Sequence, residues 1–265
     1  MKKLLAKIIT MLLATILLVA CNKGKDNLTP VVTSKTFVPK VITLVYSYGR
    51  TAVYTMDYND LLQLKTIDIL YKTDDGENKL QTKIGYDETG LMTTINIEDA
   101  NNELNYATTF YYDLNNDISD LEFVIEGVIQ ETNFQYDPNN RIYAVDGELG
   151  NFPMGWRFDE DNNLTEMSVT SNLFMLTSSE SEKGVFQHLD LQPALTIWYG
   201  LLFYLSPYEL YFFNQKDLDR FKATEFYYDY EEKVRDENGN LIAFKMVPDN
   251  PLAGTISYTI SYKEY

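Results

Sequence analysis

The decapeptide YDETGLMTTI, residues 86–95, contains the pattern that decides the fold. An aromatic residue precedes an aspartate, a glycine or asparagine stands three residues after the aspartate, and two apolar residues follow two and five positions later. The pattern recurs at intervals of about 24 residues, which is typical of a repeat protein. Four copies are complete, and their turn residues are Asp87 with Gly90, Asp113 with Asn116, Asp137 with Asn140, and Asp159 with Asn162.

Two further copies are degenerate. Asp236 and Gly239 form a fifth copy, in which Arg235 replaces the aromatic residue. A weak sixth copy has Asn59 in place of the aspartate and Leu62 in place of the glycine. These departures make the repeat loose rather than strict.

Each copy is predicted to form the corner of a β-hairpin. The aspartate side chain accepts a hydrogen bond from the backbone two residues on, and the glycine or asparagine adopts the left-handed conformation that closes the turn. The aromatic residue ends one strand and the apolar residues begin the next. We therefore predict an all-β fold, a large curved or barrel-like antiparallel meander of hairpin repeats.

The segments between the corners read as strands. Residues 256–262, for example, alternate isoleucine or tyrosine with serine or threonine. This period of two indicates antiparallel strands that are covered on one face. Because no linker rich in proline, glycine or serine interrupts this part of the chain, we predict a single β-meander domain over residues 41–265.

One segment, at about residues 191–221, breaks the alternation with a uniformly apolar run. The sequence SPYE at 206–209 predicts a helix over about 207–215, and residues 194–205 are predicted to form another short helix. We expect this short helical insert to pack in the concave side of the sheet. The candidates for its buried face are Trp198, Phe203, Tyr211 and Phe212.

The amino terminus predicts export. Residues 1–20 carry lysines, then an apolar run and small residues, as in a secretory signal peptide. The ending LVAC at 18–21 resembles the lipobox of bacterial lipoproteins, which implies cleavage before Cys21 and lipidation of that cysteine. Residues 21–40 then form a flexible tether. The alternative is a signal anchor, but the apolar run is shorter than the ~20 residues of a spanning helix.

The composition of the chain limits which partners it can bind and which catalytic or metal sites it can form. The formal net charge of −17 disfavours nucleic acid as a partner. Cys21 is the only cysteine and His188 the only histidine, so the chain cannot form an internal disulfide or a multi-histidine zinc site. Three corners resemble the start of an EF-hand calcium loop, but they lack the glycine at its sixth position and the glutamate at its twelfth. We predict no catalytic residue, no metal site and no cofactor.

The lipobox, the hairpin repeats and the late apolar insert together resemble the uncharacterised Bacteroidota lipoproteins of the DUF4595 family. The insert carries the resemblance in YGL at 199–201, LSP at 205–207 and Asn214. The resemblance implies a porin-like fold with a helical plug, and it supplies no catalytic residues. The hairpin unit also resembles the YD repeats of large bacterial toxin shells.

Three function classes remain open. The first is a non-enzymatic binding or interaction module for a glycan, peptide or envelope protein, which aromatic residues in a cleft rimmed by acids would support. The second is a structural or assembly component of the outer membrane, which a solid interior would support. The third is a carboxylate-dependent hydrolase, which needs two close, buried carboxylates in a pocket.

The expected location is the outer membrane, on its cell-surface or periplasmic face, with the lipid on Cys21 as the anchor. Asn22 is not the aspartate that, by resemblance to enterobacterial sorting rules, retains a lipoprotein at the inner membrane. A transmembrane barrel is the alternative to a soluble, lipid-tethered domain. Polar residues within the strands, as in INIED at 95–99, disfavour a lipid-facing surface.

Overall fold

The computed structural model describes residues 35–99, 105–125, 127–146, 154–169, 172–202, 213–223 and 226–265. In these residues the chain forms sixteen β-strands, one α-helix and one 3₁₀ turn at Pro251–Ala253. The strands are β1 (Phe37–Tyr46), β2 (Thr51–Tyr58), β3 (Leu64–Thr73), β4 (Gly76–Tyr86), β5 (Met92–Asp99), β6 (Asn105–Tyr112), β7 (Ile118–Ile125), β8 (Val128–Asp137), β9 (Ile142–Asp146), β10 (Met154–Phe158), β11 (Leu164–Val169), β12 (Asn172–Lys183), β13 (Lys216–Lys222), β14 (Tyr227–Arg235), β15 (Leu241–Pro248) and β16 (Ile256–Glu264). The helix, α1, covers Pro193–Leu201.

The strands form one closed barrel. Each strand pairs antiparallel with its neighbours in sequence, and β1 pairs with β16. This closing seam runs from Phe37 opposite Glu264 to Tyr46 opposite Ile256. The predicted all-β antiparallel meander is therefore confirmed, and it closes on itself.

The barrel begins earlier than the predicted boundary at residue 41. β1 starts at Phe37 and Val38 is fully buried, so the last residues of the predicted tether belong to the sheet. Pro39 reads as a linker residue in the sequence, but it lies next to an irregularity in the seam, where proline is tolerated. The hydroxyl of Tyr58 donates a 2.7 Å hydrogen bond to the Pro39 carbonyl and ties it to β2.

Side chains alternate between the interior and the outer face of the barrel. In β2, for example, Ala52, Tyr54 and Met56 are fully buried, while Val53 and Thr55 between them are half-buried. The interior is mainly aliphatic and aromatic, and its polar members include the buried Thr82 and Thr108. An apolar interior is what the alternation in the sequence predicts.

The outer face carries charged pairs between neighbouring strands. Arg157 in β10 lies opposite Glu166 in β11 at 3.3 Å, and Arg220 in β13 lies opposite Asp229 in β14 at 2.6 Å. Exposed pairs of this kind contribute ~0 to 1 kcal/mol each to stability. Their value here is that they show the outer face to be charged. A lipid-facing barrel has the opposite arrangement, with an apolar outer band and a polar interior.

The insert between β12 and β13 fills part of the interior. α1 begins at Pro193, a residue that is favoured at the first position of a helix, and Ala194 to Gly200 are buried. Trp198 is fully buried, and its Nε1 donates to Thr108 Oγ1 on β6 at 3.0 Å. The predicted packing of a short helical insert in the concave side is confirmed for α1. Within the described residues, no helix has the length and apolar character to cross a membrane.

The second predicted helix, over about 207–215, falls mainly on residues 203–212, which lie outside the described residues. Three candidates for the buried face of the insert lie there too: Phe203, Tyr211 and Phe212. The described end of this segment, residues 213–215, is not helical.

The predicted end of the insert, at about residue 221, is wrong, because β13 already begins at Lys216. Leu218 and Phe221 are both buried, although a regular strand would point residues three apart to opposite faces. A register shift opposite Thr177 and Ser178 explains this spacing. Because of this shift, apolar and polar residues do not alternate along β13, so the sequence pattern does not predict a strand there.

Gly200 allows α1 to approach the wall closely, since a Cβ at this position would lie 2.3 Å from Nε1 of the buried Trp156. We expect Gly200→Ala to lower the free energy of unfolding by about 1–3 kcal/mol, because the packed indole cannot move away. Gly85→Ala is the matched control, since its Cβ would meet the Thr94 hydroxyl, which can rotate. Chemical denaturation measures both. Equal stability of the two variants would contradict close packing of α1 on β10.

Candidate functional site

The corners of the repeat gather at one end of the barrel, here termed the corner end. Alternate connections of an up-and-down barrel lie at the same end, and the corners join β2 to β3, β4 to β5, β6 to β7, β8 to β9, β10 to β11 and β14 to β15. The insert joins β12 to β13 and therefore starts from this end as well.

An aspartate organises each corner. In the opening decapeptide, Asp87 Oδ1 accepts hydrogen bonds from the N–H groups of Thr89 at 2.8 Å and Leu91 at 2.9 Å. The Thr89 hydroxyl also donates to it, and together these hydrogen bonds lower the pKa of Asp87. Gly90 has a φ of +88°, a conformation that glycine adopts without strain.

Three other predicted pairs occupy the same positions in their corners. Each aspartate accepts hydrogen bonds from N–H groups two and four residues on, and each partner has a left-handed φ between +60° and +81°. The pairs are Asp113 with Asn116, Asp159 with Asn162, and Asp236 with Gly239. The weak sixth copy is built in this way through Asn59, with Leu62 at a φ of +60°.

The corner at Asp137 departs from the prediction. Asp137 Oδ1 accepts hydrogen bonds from the N–H groups of Asn139 and Asn140, but the left-handed residue is Arg141, at a φ of +53°. Asp137 pairs with Ile142, five residues on, whereas Asp87 is hydrogen-bonded to Leu91, four residues on. The loop at Asp137 is therefore one residue longer than at the regular corners. Asn140 instead donates from its side chain to Asp137 Oδ2 at 2.7 Å.

Arg235 replaces the aromatic residue of the fifth copy and makes a charged clamp. Its guanidinium lies 2.7 Å from the carboxylate of the buried Asp217 and 3.2 Å from that of Glu182. It also donates to the carbonyls of Lys183 and Gly239. The side chain thus connects β12, β13 and β14 where another copy would place a ring.

Tyrosine hydroxyls link successive corners, a connection that the repeat pattern does not predict. Tyr86 donates to the Leu64 carbonyl at 2.8 Å, and Tyr112 donates to the Met92 carbonyl. In each case the acceptor is the first residue of the strand that follows the previous corner. Burial raises the pKa of both hydroxyls, so they remain donors at neutral pH. Alternation alone predicts which face a tyrosine occupies, not which carbonyl it reaches.

The ammonium group of Lys216 pairs with two carboxylates of the Asp159 corner, which resembles the start of a calcium loop in sequence. Its Nζ lies 2.7 Å from Asp159 Oδ2 and 3.2 Å from Asp161 Oδ2. Burial acts to raise the pKa of Asp159, but hydrogen bonds from Lys216 and Asn163 outweigh it and lower the pKa. In the part of the chain that the structure describes, no three His, Cys, Asp or Glu side chains are grouped as metal ligands.

A pocket of about 350 Å³ opens at the corner end beside the start of α1. Its volume is at the small end of the range for ligand sites. One wall is aromatic, since Tyr136 and Tyr143 stack with ring centroids 4.4 Å apart. Phe158 packs edge-on against Tyr143 at 6.0 Å. These rings come from three different strands, and the hairpin corners bring them together.

The polar wall of the pocket also combines separate corners. Asp117, Arg141 and Asn162 line it, and Asp190 from the insert lies exposed at its rim. Arg141 Nη2 donates to Asn162 Oδ1 at 2.9 Å, while its Nε is buried and has no hydrogen-bond partner among the described residues. The Tyr143 hydroxyl donates to Asp117 Oδ1 at 3.2 Å.

The electrostatics of Asp117 reflect this mixed environment. Burial raises the pKa of its carboxyl, while the hydrogen bond from Tyr143 and the positive charge of Arg141 act to lower it. The sequence pattern predicts none of these residues to bind a ligand. His188 is exposed in the turn before α1 and does not line this pocket.

No family model and no curated protein matches the chain. Among solved structures, the chain is similar to a porin-like protein from Bacteroides uniformis ATCC 8492, at a TM-score of 0.40 and 13% sequence identity. The match covers 85% of this chain and 96% of that chain. The assignment of this chain as an antiparallel barrel rests on its own strand order.

Tyr143→Phe tests the polar wall. Because a hydrogen bond to a carboxylate stabilises its charged form, losing the hydroxyl should raise the pKa of Asp117 further. NMR titration of the carboxyl carbons measures this directly. Asp113 in the same corner is the internal control, since backbone N–H groups lower its pKa and the variant leaves them intact. A fall in the Asp117 pKa, or an equal shift at Asp113, would contradict the assigned contact.

Proposed function

We propose that the chain is a non-enzymatic binding module of the cell envelope, with its ligand in the pocket at the corner end. The observation that carries the proposal is the pocket itself, which is lined by stacked aromatic rings and by polar side chains from three neighbouring corners. Aromatic residues in a cleft rimmed by acids are the arrangement expected of the binding class.

The pocket supports binding over the two other function classes. A structural or assembly component needs no cleft with the buried, unpaired Arg141 Nε. A carboxylate-dependent hydrolase needs a close pair of buried carboxylates, whereas Asp190 is exposed and Asp117 only half-buried. The remaining polar groups suit recognition of a ligand.

The proposed location is the outer membrane, through a lipid on Cys21 after removal of residues 1–20 as a signal peptide. The charged outer face supports a barrel that stands in water and is held by its lipid, in preference to a transmembrane barrel. Residues from 21 up to the start of β1 would be the tether. Membership of the DUF4595 lipoproteins and their YD-type repeats is part of the same proposal, as is facing the cell surface or the periplasm.

Cys21→Ser tests the anchor. The serine variant cannot carry a thioether-linked lipid, so we expect it to leave the membrane fraction for the aqueous fraction. Asn22→Ser is the matched control and should remain with the membrane. Retention of Cys21→Ser in the membrane after carbonate washing would contradict a lipid anchor. Protease treatment of intact cells, with a periplasmic marker, then distinguishes the two facings.

Binding at the pocket is tested by NMR with the purified protein and a panel of monosaccharides, amino acids and short peptides. We expect at least one class to shift amide signals of the pocket corners, and Arg141→Asn to abolish those shifts. Asparagine tolerates the left-handed φ of residue 141, so the variant removes the guanidinium without adding backbone strain. Arg157→Asn, on the outer face, is the control. Shifts confined to the outer face, or none, would contradict the proposal.

A further inference from the structure

We infer that the pocket at the corner end binds a neutral sugar ring, an inference that rests on the proposed binding function. The aromatic wall is the first observation. Tyr136 and Tyr143 stack at an interplanar angle of 22°, and both line the pocket. The negatively polarised face of an aromatic ring packs favourably against the C–H face of a pyranose.

The polar wall offers both donors and acceptors beside these rings. Among the described residues, Asp117 Oδ2 accepts no hydrogen bond, since the Tyr143 hydroxyl binds Oδ1. Among those residues, Arg141 hydrogen-bonds only through Nη2, to the Asn162 side-chain oxygen, so Nη1 of Arg141 and the amide N–H groups of Asn162 have no acceptor. A sugar hydroxyl both donates and accepts, so adjacent hydroxyls can satisfy a carboxylate and a guanidinium or amide together.

Charge favours a neutral ligand over an acidic or a basic one. Asp117 and Asp190 outnumber Arg141 among the charged residues that line the pocket, and the whole chain has a formal charge of −17. An acidic sugar or a free carboxylate would be repelled by this field. An amine would be attracted to the carboxylates but would have to lie beside the guanidinium of Arg141, which shares the polar wall with Asp117.

The start of α1 is fastened to the barrel wall beside the pocket. Gln192 donates from Nε2 to the Gly90 carbonyl at 2.6 Å and accepts the Met92 N–H with Oε1 at 2.7 Å. Its side chain is therefore committed to holding the insert on the β4–β5 corner. Pro193 and Ala194 follow and line the pocket. A site that is already ordered loses less entropy when it binds a small ring.

Saturation-transfer NMR and calorimetry test the inference with methyl glycosides of glucose, galactose and mannose, with N-acetylglucosamine, and with glucuronate and free amino acids as competing classes. We expect at least one neutral glycoside to bind more tightly than glucuronate and the amino acids. Tyr136→Leu and Asp117→Asn should each weaken that binding about tenfold, as expected for the loss of one stacking contact or one charged hydrogen bond. Tyr111→Leu and Asp120→Asn, on the outer face, should leave it unchanged.

The other outcomes separate the two proposals. Tighter binding of glucuronate or an amino acid at the pocket would overturn the sugar inference and leave the binding function standing. Absence of binding by every compound would count against both. Each variant is checked for its melting temperature, and Arg141→Asn provides an independent loss of the polar wall if Asp117→Asn does not fold. Equal effects of the pocket variants and the outer-face variants would also overturn the inference.

Discussion

Closure of the sheet is the constraint on which the rest of the molecule depends. Pairing of β1 with β16 removes the free strand edges, and it also encloses the apolar face of every described strand. Barrels with many strands have an interior too wide for strand side chains alone to fill. The chain supplies the missing volume with α1, which places Trp198 against Thr108 on one wall and Gly200 against Trp156 on another. The helix is therefore part of the core.

The repeat builds the barrel, and its departures build the site. The regular corners place an aspartate and a left-handed residue wherever one hairpin turns, and tyrosine hydroxyls connect one corner to the next. At the Asp137 corner the longer loop gives the left-handed position to Arg141, whose side chain reaches Asn162 of the following corner. Asp117 comes from the corner before. Three neighbouring turns thereby share one polar wall that no single repeat contains.

The fold could be predicted from the sequence because the hydrogen bonds of each corner are local. Asp87 and Gly90 lie within one hairpin, so spacing alone predicts their hydrogen bond and φ. Prediction from the sequence failed where pairing between distant strands decides the structure. The early start of β1 depends on the seam with β16, and the strand at Lys216 is hidden by a register shift. The pocket could not be predicted, because its residues converge only after closure.

Amide hydrogen exchange across the seam is the most direct test of closure. A closed barrel predicts that the amides of residues 41–45 in β1 and 257–259 in β16 exchange as slowly as those of the β6–β7 ladder, because these residues are paired with a strand on each side. If the sheet were open, alternate amides of β1 and β16 would face solvent along a free edge and exchange rapidly. That result would contradict the barrel and, with it, the enclosed interior and the pocket formed at its end.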